Sequence, residues 1–136
     1  LFRSVADYFA RADSEMCLIV QIESTAGLAG LDDILKVDGV DAVFIGPSDL
    51  AASMGYLGNP GHPEVKAAVE SAIRKIAAAG KAAGVFSADP VAAEAYRQIG
   101  ASFLLVGVDA LLLRNASVAL ADKFKSAGAA QSGAAY

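Results

Sequence analysis

Two acidic side chains stand where an apolar run gives way to polar sequence. Glu23 follows Cys-Leu-Ile-Val-Gln-Ile, and Asp49 follows Ala-Val-Phe-Ile-Gly-Pro-Ser. If each run is a strand, each acid lies at a carboxyl end, the edge where α/β folds place their ligands. Neighbouring strands lie about 4.8 Å apart, so both carboxylates could reach one divalent cation. An all-oxygen pair, with no Cys or second His nearby, favours a hard ion. Mg²⁺ or Mn²⁺ fits best, with Co²⁺ as the alternative, and positions stay open for water and substrate.

Each of these residues also has a plainer reading. Asp49 could simply stabilise the start of the helix after its strand, as acids do near helix N-termini. Glu23 could do the same, although a charge ending an apolar strand is costly to bury without a counter-charge. Gly46-Pro47-Ser48-Asp49 is either a structural turn or a loop whose Ser48 and Asp49 amides hold a substrate carboxylate. Gln21 either hydrogen-bonds a core backbone group or points at the substrate. His62 and Asp89, each before a proline, read as a cap or loop anchor and a cap. Asp32 and Asp33 read as solvated acids in the first turns of a helix. Lys81 opens its strand at the amino edge, the wrong side of a sheet for Schiff-base chemistry.

The elements that must position these residues follow from periodicity. Apolar spacing predicts a short helix over residues 5–12, then a polar break at 13–15. Residues 17–22 read as a strand buried on both faces, as in a parallel sheet. Leu28, Leu31, Ile34 and Leu35 predict one helix, capped by Ser24 or Thr25 and leaving at Gly39. A second strand spans 42–45, a short helix 50–54, and a Gly/Pro/Asn loop 55–61. A long helix opens at Pro63 and stops at Gly80, followed by a strand over 81–86. Asp89-Pro90 opens a helix ending near Gln98, the fourth strand spans 102–106, and a last helix runs from Asp109 to about Lys123. The Ala/Gly/Ser-rich stretch 126–136 reads as a flexible tail after a domain over 1–125.

Four strand and helix pairs in tandem imply a parallel sheet, either doubly wound or half of an eightfold barrel. No GxGxxG or GxxxxGK[ST] string follows a strand, which weakens the open-sheet nucleotide folds.

Composition excludes other classes. Of 136 residues 55% are hydrophobic and 19% charged, more apolar than a small self-contained domain, so some surface is expected to be covered by a partner. The apolar runs at 103–106 and 110–113 fall far short of the roughly 18 residues that span a bilayer. A net charge of −4 without a Lys/Arg cluster removes the footprint of a nucleic-acid binder. A lone Cys17 builds no disulfide framework and fits a reducing cytoplasm. A start at Leu-Phe-Arg-Ser, without Met, reads as that of a fragment.

With VQIES, then GVDAVFIGPSDLAASMGYLGNPGHPEV, and later GASFLLVGVDALLL, the chain resembles the HpcH/HpaI aldolases up to about residue 125. The strand-end Glu with GPSDLAxxxG is shared with the wider phosphoenolpyruvate/pyruvate superfamily, and GHPEV narrows the likeness to this family. The resemblance implies the C-terminal half, about four βα units, of a TIM (β/α)8 barrel. It implies a class II aldolase that makes or breaks a C–C bond between pyruvate, a 2-oxo acid, and an aldehyde. By position Glu23 and Asp49 match the family's metal-binding carboxylates, and Gln21 its strand glutamine near substrate. Gly46, Pro47, Ser48 and Asp49 match the loop that receives the pyruvate carboxylate.

The resemblance also says what is missing. The family's histidine base and its arginine for the oxo group belong to the first half of the barrel, ahead of residue 1. An isolated chain of this sequence is therefore expected to turn over little, and its open sheet edges to drive self-association, pairing with the missing half, or aggregation. Family members are usually hexameric, which makes a homo-oligomer the expected assembly. Two alternatives compete: a lyase of the citrate-lyase β-chain or malyl-CoA type, and a non-catalytic half-barrel serving as an interaction module.

Overall fold

The computed structural model describes residues 6–131, with side chains to residue 125. These residues form two units, one ending at Leu105 and the other beginning at Val106. In the first unit α1 (Tyr8–Glu15) precedes β1 (Ile19–Ile22), α2 (Thr25–Ala29) and α3 (Leu31–Ile34). Then come β2 (Ala42–Ile45), α4 (Pro47–Ser53), α5 (Pro63–Ala78), β3 (Ala82–Phe86), α6 (Pro90–Gln98) and β4 (Ala101–Leu105). The second unit is α7 (Asp109–Gln131), where Asp109 Oδ1 accepts from the Ala110 amide at 2.7 Å.

All four strands are parallel, and their order in the sheet is their order in the chain, β1-β2-β3-β4. A doubly wound sheet reverses its strand order at a switch point. This one does not, so the α/β unit has the build of part of an eight-stranded barrel.

Side chains alternate across each strand, and the register makes one face continuous through Val43, Ile45, Ala83 and Val85. The stripe Val65, Val69, Ala72, Ile73 and Ile76 of α5 covers it, and Val43, Ile45, Val65, Val69, Ile73, Ile76 and Val85 are 0% exposed. Each such side chain contributes about 1.5–3 kcal/mol when withdrawn from water. The other face carries the row Gln21, Phe44, Gly84 and Phe103. There the Phe44 and Phe103 ring centroids lie 5.9 Å apart. A Cβ on Gly84 would come within 2.1 Å of Phe103 Cζ, so the ring fills the space that only a glycine leaves.

Several expectations need correction. The first strand is not buried on both faces: Ile22 is buried, but Ile19 is 50% exposed. As an edge strand β1 has a neighbour on one side only, and Ile19 points to the face opposite the helical layer. The helix after it is two, because Gly30 ends α2 and starts α3, a residue that costs about 1 kcal/mol inside a helix. The short helix begins at Pro47 rather than at residue 50, since proline suits the first helical position. The polar residues 13–15 belong to α1, and α7 continues through Gln131, into the stretch read as tail. Residue 5, the expected start of the first helix, and residues 132–136 lie outside the described residues. Among the described residues no helix is long and apolar enough to cross a membrane.

Candidate active site

The register that pairs Ile22 with Ile45 sets Glu23 and Gly46 side by side at the carboxyl rim, and the Gly46 amide donates to the Ile22 carbonyl at 3.0 Å. Gln21 Nε2 donates to Glu23 Oε2 at 2.6 Å. Both side chains lean on the glycine: a Cβ there would stand 2.9 Å from Gln21 Nε2 and 3.3 Å from Glu23 Cβ and Oε2. With φ at −99°, Gly46 adopts a backbone open to any residue, so its glycine is required by close approach alone.

Gln21 thus bonds no core backbone group among the described residues; its side chain lies at the rim and holds one oxygen of Glu23. The alternation of a strand contained this signal, because residues two apart share a face.

Asp49 lies in the first turn of α4 and is exposed. A capping box would have its carboxylate accept from the Gly46 amide. That amide is already given to Ile22, and among the described residues no hydrogen bond or ion pair engages the Asp49 side chain. What remains of the capping role is the helix dipole. Leu50 donates to the Gly46 carbonyl at 3.0 Å, the first such bond of the helix. Ser48 and Asp49 amides precede it and have no intrahelical acceptor. Ser53, in the last turn of α4, accepts from the Thr25 amide at 3.0 Å, tying the helix that follows Glu23 to the helix that bears Asp49.

Glu23, Asp49, Gln21 and the loop Gly46, Pro47, Ser48 thus share one rim of two neighbouring strands. Among the described residues no three His, Cys, Asp or Glu side chains gather into a cluster. The donors at the rim are oxygens, two carboxylates and an amide, a set that suits a hard divalent ion sharing its shell with water or substrate.

The other candidates have structural work. His62 Nδ1 accepts from the Glu64 amide at 3.3 Å as the N-cap of α5, and its ring stacks on Tyr56 with centroids 3.7 Å apart. A hydrogen bond to Glu64 raises the Tyr56 pKa, with burial adding to it. Asp89 Oδ1 accepts from the Val91 amide at 3.0 Å and caps α6. Lys81 Nζ donates to the Val37 and Val40 carbonyls at 2.9 and 2.6 Å, at the amino edge. Asp32 and Asp33 are exposed and pair with Lys75 and Lys36.

The family model of the HpcH/HpaI aldolase/citrate lyase family matches residues 1–116. A hydroxypyruvate/pyruvate aldolase of Pseudomonas aeruginosa is 54% identical over 131 residues, covering 96% of this chain and 49% of that protein. A 4-hydroxy-2-oxo-heptane-1,7-dioate aldolase of Shigella sonnei is 52% identical over 120 residues, covering 88% of this chain and 46% of that protein. A crystal structure of a family member from Burkholderia cenocepacia J2315 superposes with a TM-score of 0.78 at 39% identity, covering 85% of this chain and 46% of that one. The chain spans about half the length of the curated relatives it matches. On its sequence, its sheet and these likenesses, the chain belongs to the HpcH/HpaI aldolase/citrate lyase family.

Proposed function

We propose that this chain supplies the metal- and pyruvate-binding corner of a class II aldolase, a lyase that cleaves or forms a C–C bond between a 2-oxo acid and an aldehyde. The observation that carries the reading is the Gln21–Glu23 pair pressed on Gly46, at the rim that also bears the unengaged Asp49 carboxylate. Relatives named as aldolases support it.

In this reading Glu23 and Asp49 would hold Mg²⁺ or Mn²⁺. Gln21 orients Glu23, and the Ser48 and Asp49 amides donate to the substrate carboxylate. When bound, the ion supplies Lewis-acid polarisation of the 2-oxo group. As the family resemblance implies, proton transfer falls to a histidine outside these residues, while His62 caps α5. The chain acts as part of a homo-oligomer in a reducing cytoplasm.

Water-proton relaxation of bound Mn²⁺ tests the pyruvate corner without requiring turnover. Pyruvate should lower the enhancement by displacing water, whereas no response to pyruvate contradicts the assignment. A retro-aldol assay of the chain alone should show little turnover. Normal turnover would place the base within these residues.

A further inference from the structure

Glu23 stands at a weakly anchored corner of the sheet. Its strand β1 is an edge with a neighbour on one side only. The helix after it, α2, has no buried residue, and only partly buried Leu28 packs against the core. Asp49 is carried by a firmer element: Pro47, Leu50 and Ala51 of α4 are buried, the last two at 0% exposed. An ion shared by the two carboxylates requires the looser one to be held at a fixed place beside the firmer one. Strand pairing does this as far as the Ile22 carbonyl, which accepts from the Gly46 amide.

Beyond Ile22 a side chain of α4 takes over the task. Ser53 lies four residues after Asp49, about one turn along the same face of the helix. Its Oγ accepts from the Thr25 amide at 3.0 Å, and the two hydroxyls lie 3.4 Å apart. Thr25 is the first residue of α2, where an amide has no intrahelical acceptor. The local cap does not use that amide either, since Ser24 Oγ accepts from Gly27 at 3.1 Å and the Ser24 carbonyl from Leu28 at 2.9 Å. Ser53 thus takes the free amide of the turn that carries Glu23, two residues away.

We propose that Ser53 is a positioning residue for the metal site: through the Thr25 amide it holds the Glu23 turn against the helix that bears Asp49. The proposal rests on the aldolase reading for the ion and on the hydrogen bond for the tether. Ser53 is assigned no contact with ion or substrate. Without the tether the Glu23 turn samples placements that do not face Asp49 across one ion, and apparent metal affinity falls by the fraction that remains competent.

Two variants break the tether from opposite ends. Ser53→Ala removes the acceptor, and alanine suits a helix. Thr25→Pro removes the donor at a first helical position, where proline is favoured. Ser24 before it already has the extended backbone that a following proline demands, with φ −143° and ψ 159°. Each variant should weaken Mn²⁺ binding about threefold or more, the worth of one exposed hydrogen bond, with far-UV circular dichroism unchanged. The double variant should lose no more than either single, because both delete the same bond. The Gln21 side-chain amide, which donates to Glu23, reports the same placement without metal. Its proton signals should move in both variants toward those of a free glutamine. Parental Mn²⁺ affinity in Ser53→Ala, losses that add in the double variant, or Gln21 signals that stay in place would each overturn the proposal. A parent chain that binds no Mn²⁺ contradicts the aldolase reading, whereas the Gln21 signals still decide whether Ser53 holds Glu23. A parent whose Mn²⁺ binding needs Glu23 but not Ser53 contradicts only this proposal.

Discussion

Gln21 Nε2 and Glu23 Oε2 lie 2.6 Å apart on the open face of an edge strand, so an amide holds one carboxylate oxygen and leaves the other for a ligand. A donor in this position fixes a metal ligand's orientation. Gln21→Met keeps the side-chain length and removes the donor. It should leave the thermal midpoint unchanged and weaken Mn²⁺ binding by about tenfold or more. Calorimetric titration measures it, and unchanged affinity would remove Gln21 from the site.

Gly46→Ala tests close approach. The added methyl meets the far end of Gln21, which can swing away, and Glu23 Cβ, which must give by a few tenths of an ångström. Stability should fall by less than about 1 kcal/mol, while Mn²⁺ affinity falls as far as in Gln21→Met. Urea melts and metal titrations on the same sample separate the two effects.

On the same face but deeper in the sheet, Gly84→Ala has no such escape. Its Cβ would stand 2.1, 2.3 and 2.7 Å from three Phe103 ring atoms, and the destabilisation should reach about 1–3 kcal/mol or more, the cost of overpacking. Phe103→Leu shortens the obstacle, so the double variant should be less destabilised than the sum of the singles. An additive cycle would mean that the ring does not sit over Gly84.

An exposed acid gives a pH test. Hydrogen bonds from Arg97, and then Gln98, lower the Glu94 pKa from 4.5 to about 2. A depressed folded-state value stabilises the fold above the unfolded pKa, and that contribution is lost as pH falls from 4.5 toward about 2. The difference in urea midpoint between parent and Glu94→Gln should therefore be present at neutral pH and shrink across that window. The pair is solvent-exposed, so the difference should be small. A difference that grows on acidification would contradict the pairing.

How much of this was legible beforehand depends on the range of each interaction. The strands β2, β3 and β4 show as apolar runs and the caps Ser24, His62 and Asp89 as local strings, because strand pairing and capping use neighbouring residues. The exposure of Ile19 was not legible, since burial depends on what lies across the sheet and an apolar run looks the same at an edge. The break at Gly30 hid because the apolar spacing continues through it. Glu23 and Asp49 could be placed on one rim from strand ends alone. The fit of Phe103 over Gly84 needs the register of β3 on β4, including its shift near Ala83, which no local pattern announces.

The most direct test is Mn²⁺ titration of the chain beside Glu23→Gln and Asp49→Asn, each of which removes one negative oxygen while keeping the side-chain shape. One bound ion per chain is predicted for the parent, with affinity reduced at least about tenfold in each variant and far-UV circular dichroism unchanged in both. Mn²⁺ binding that survives either substitution at parental strength would contradict a shared ion at this rim.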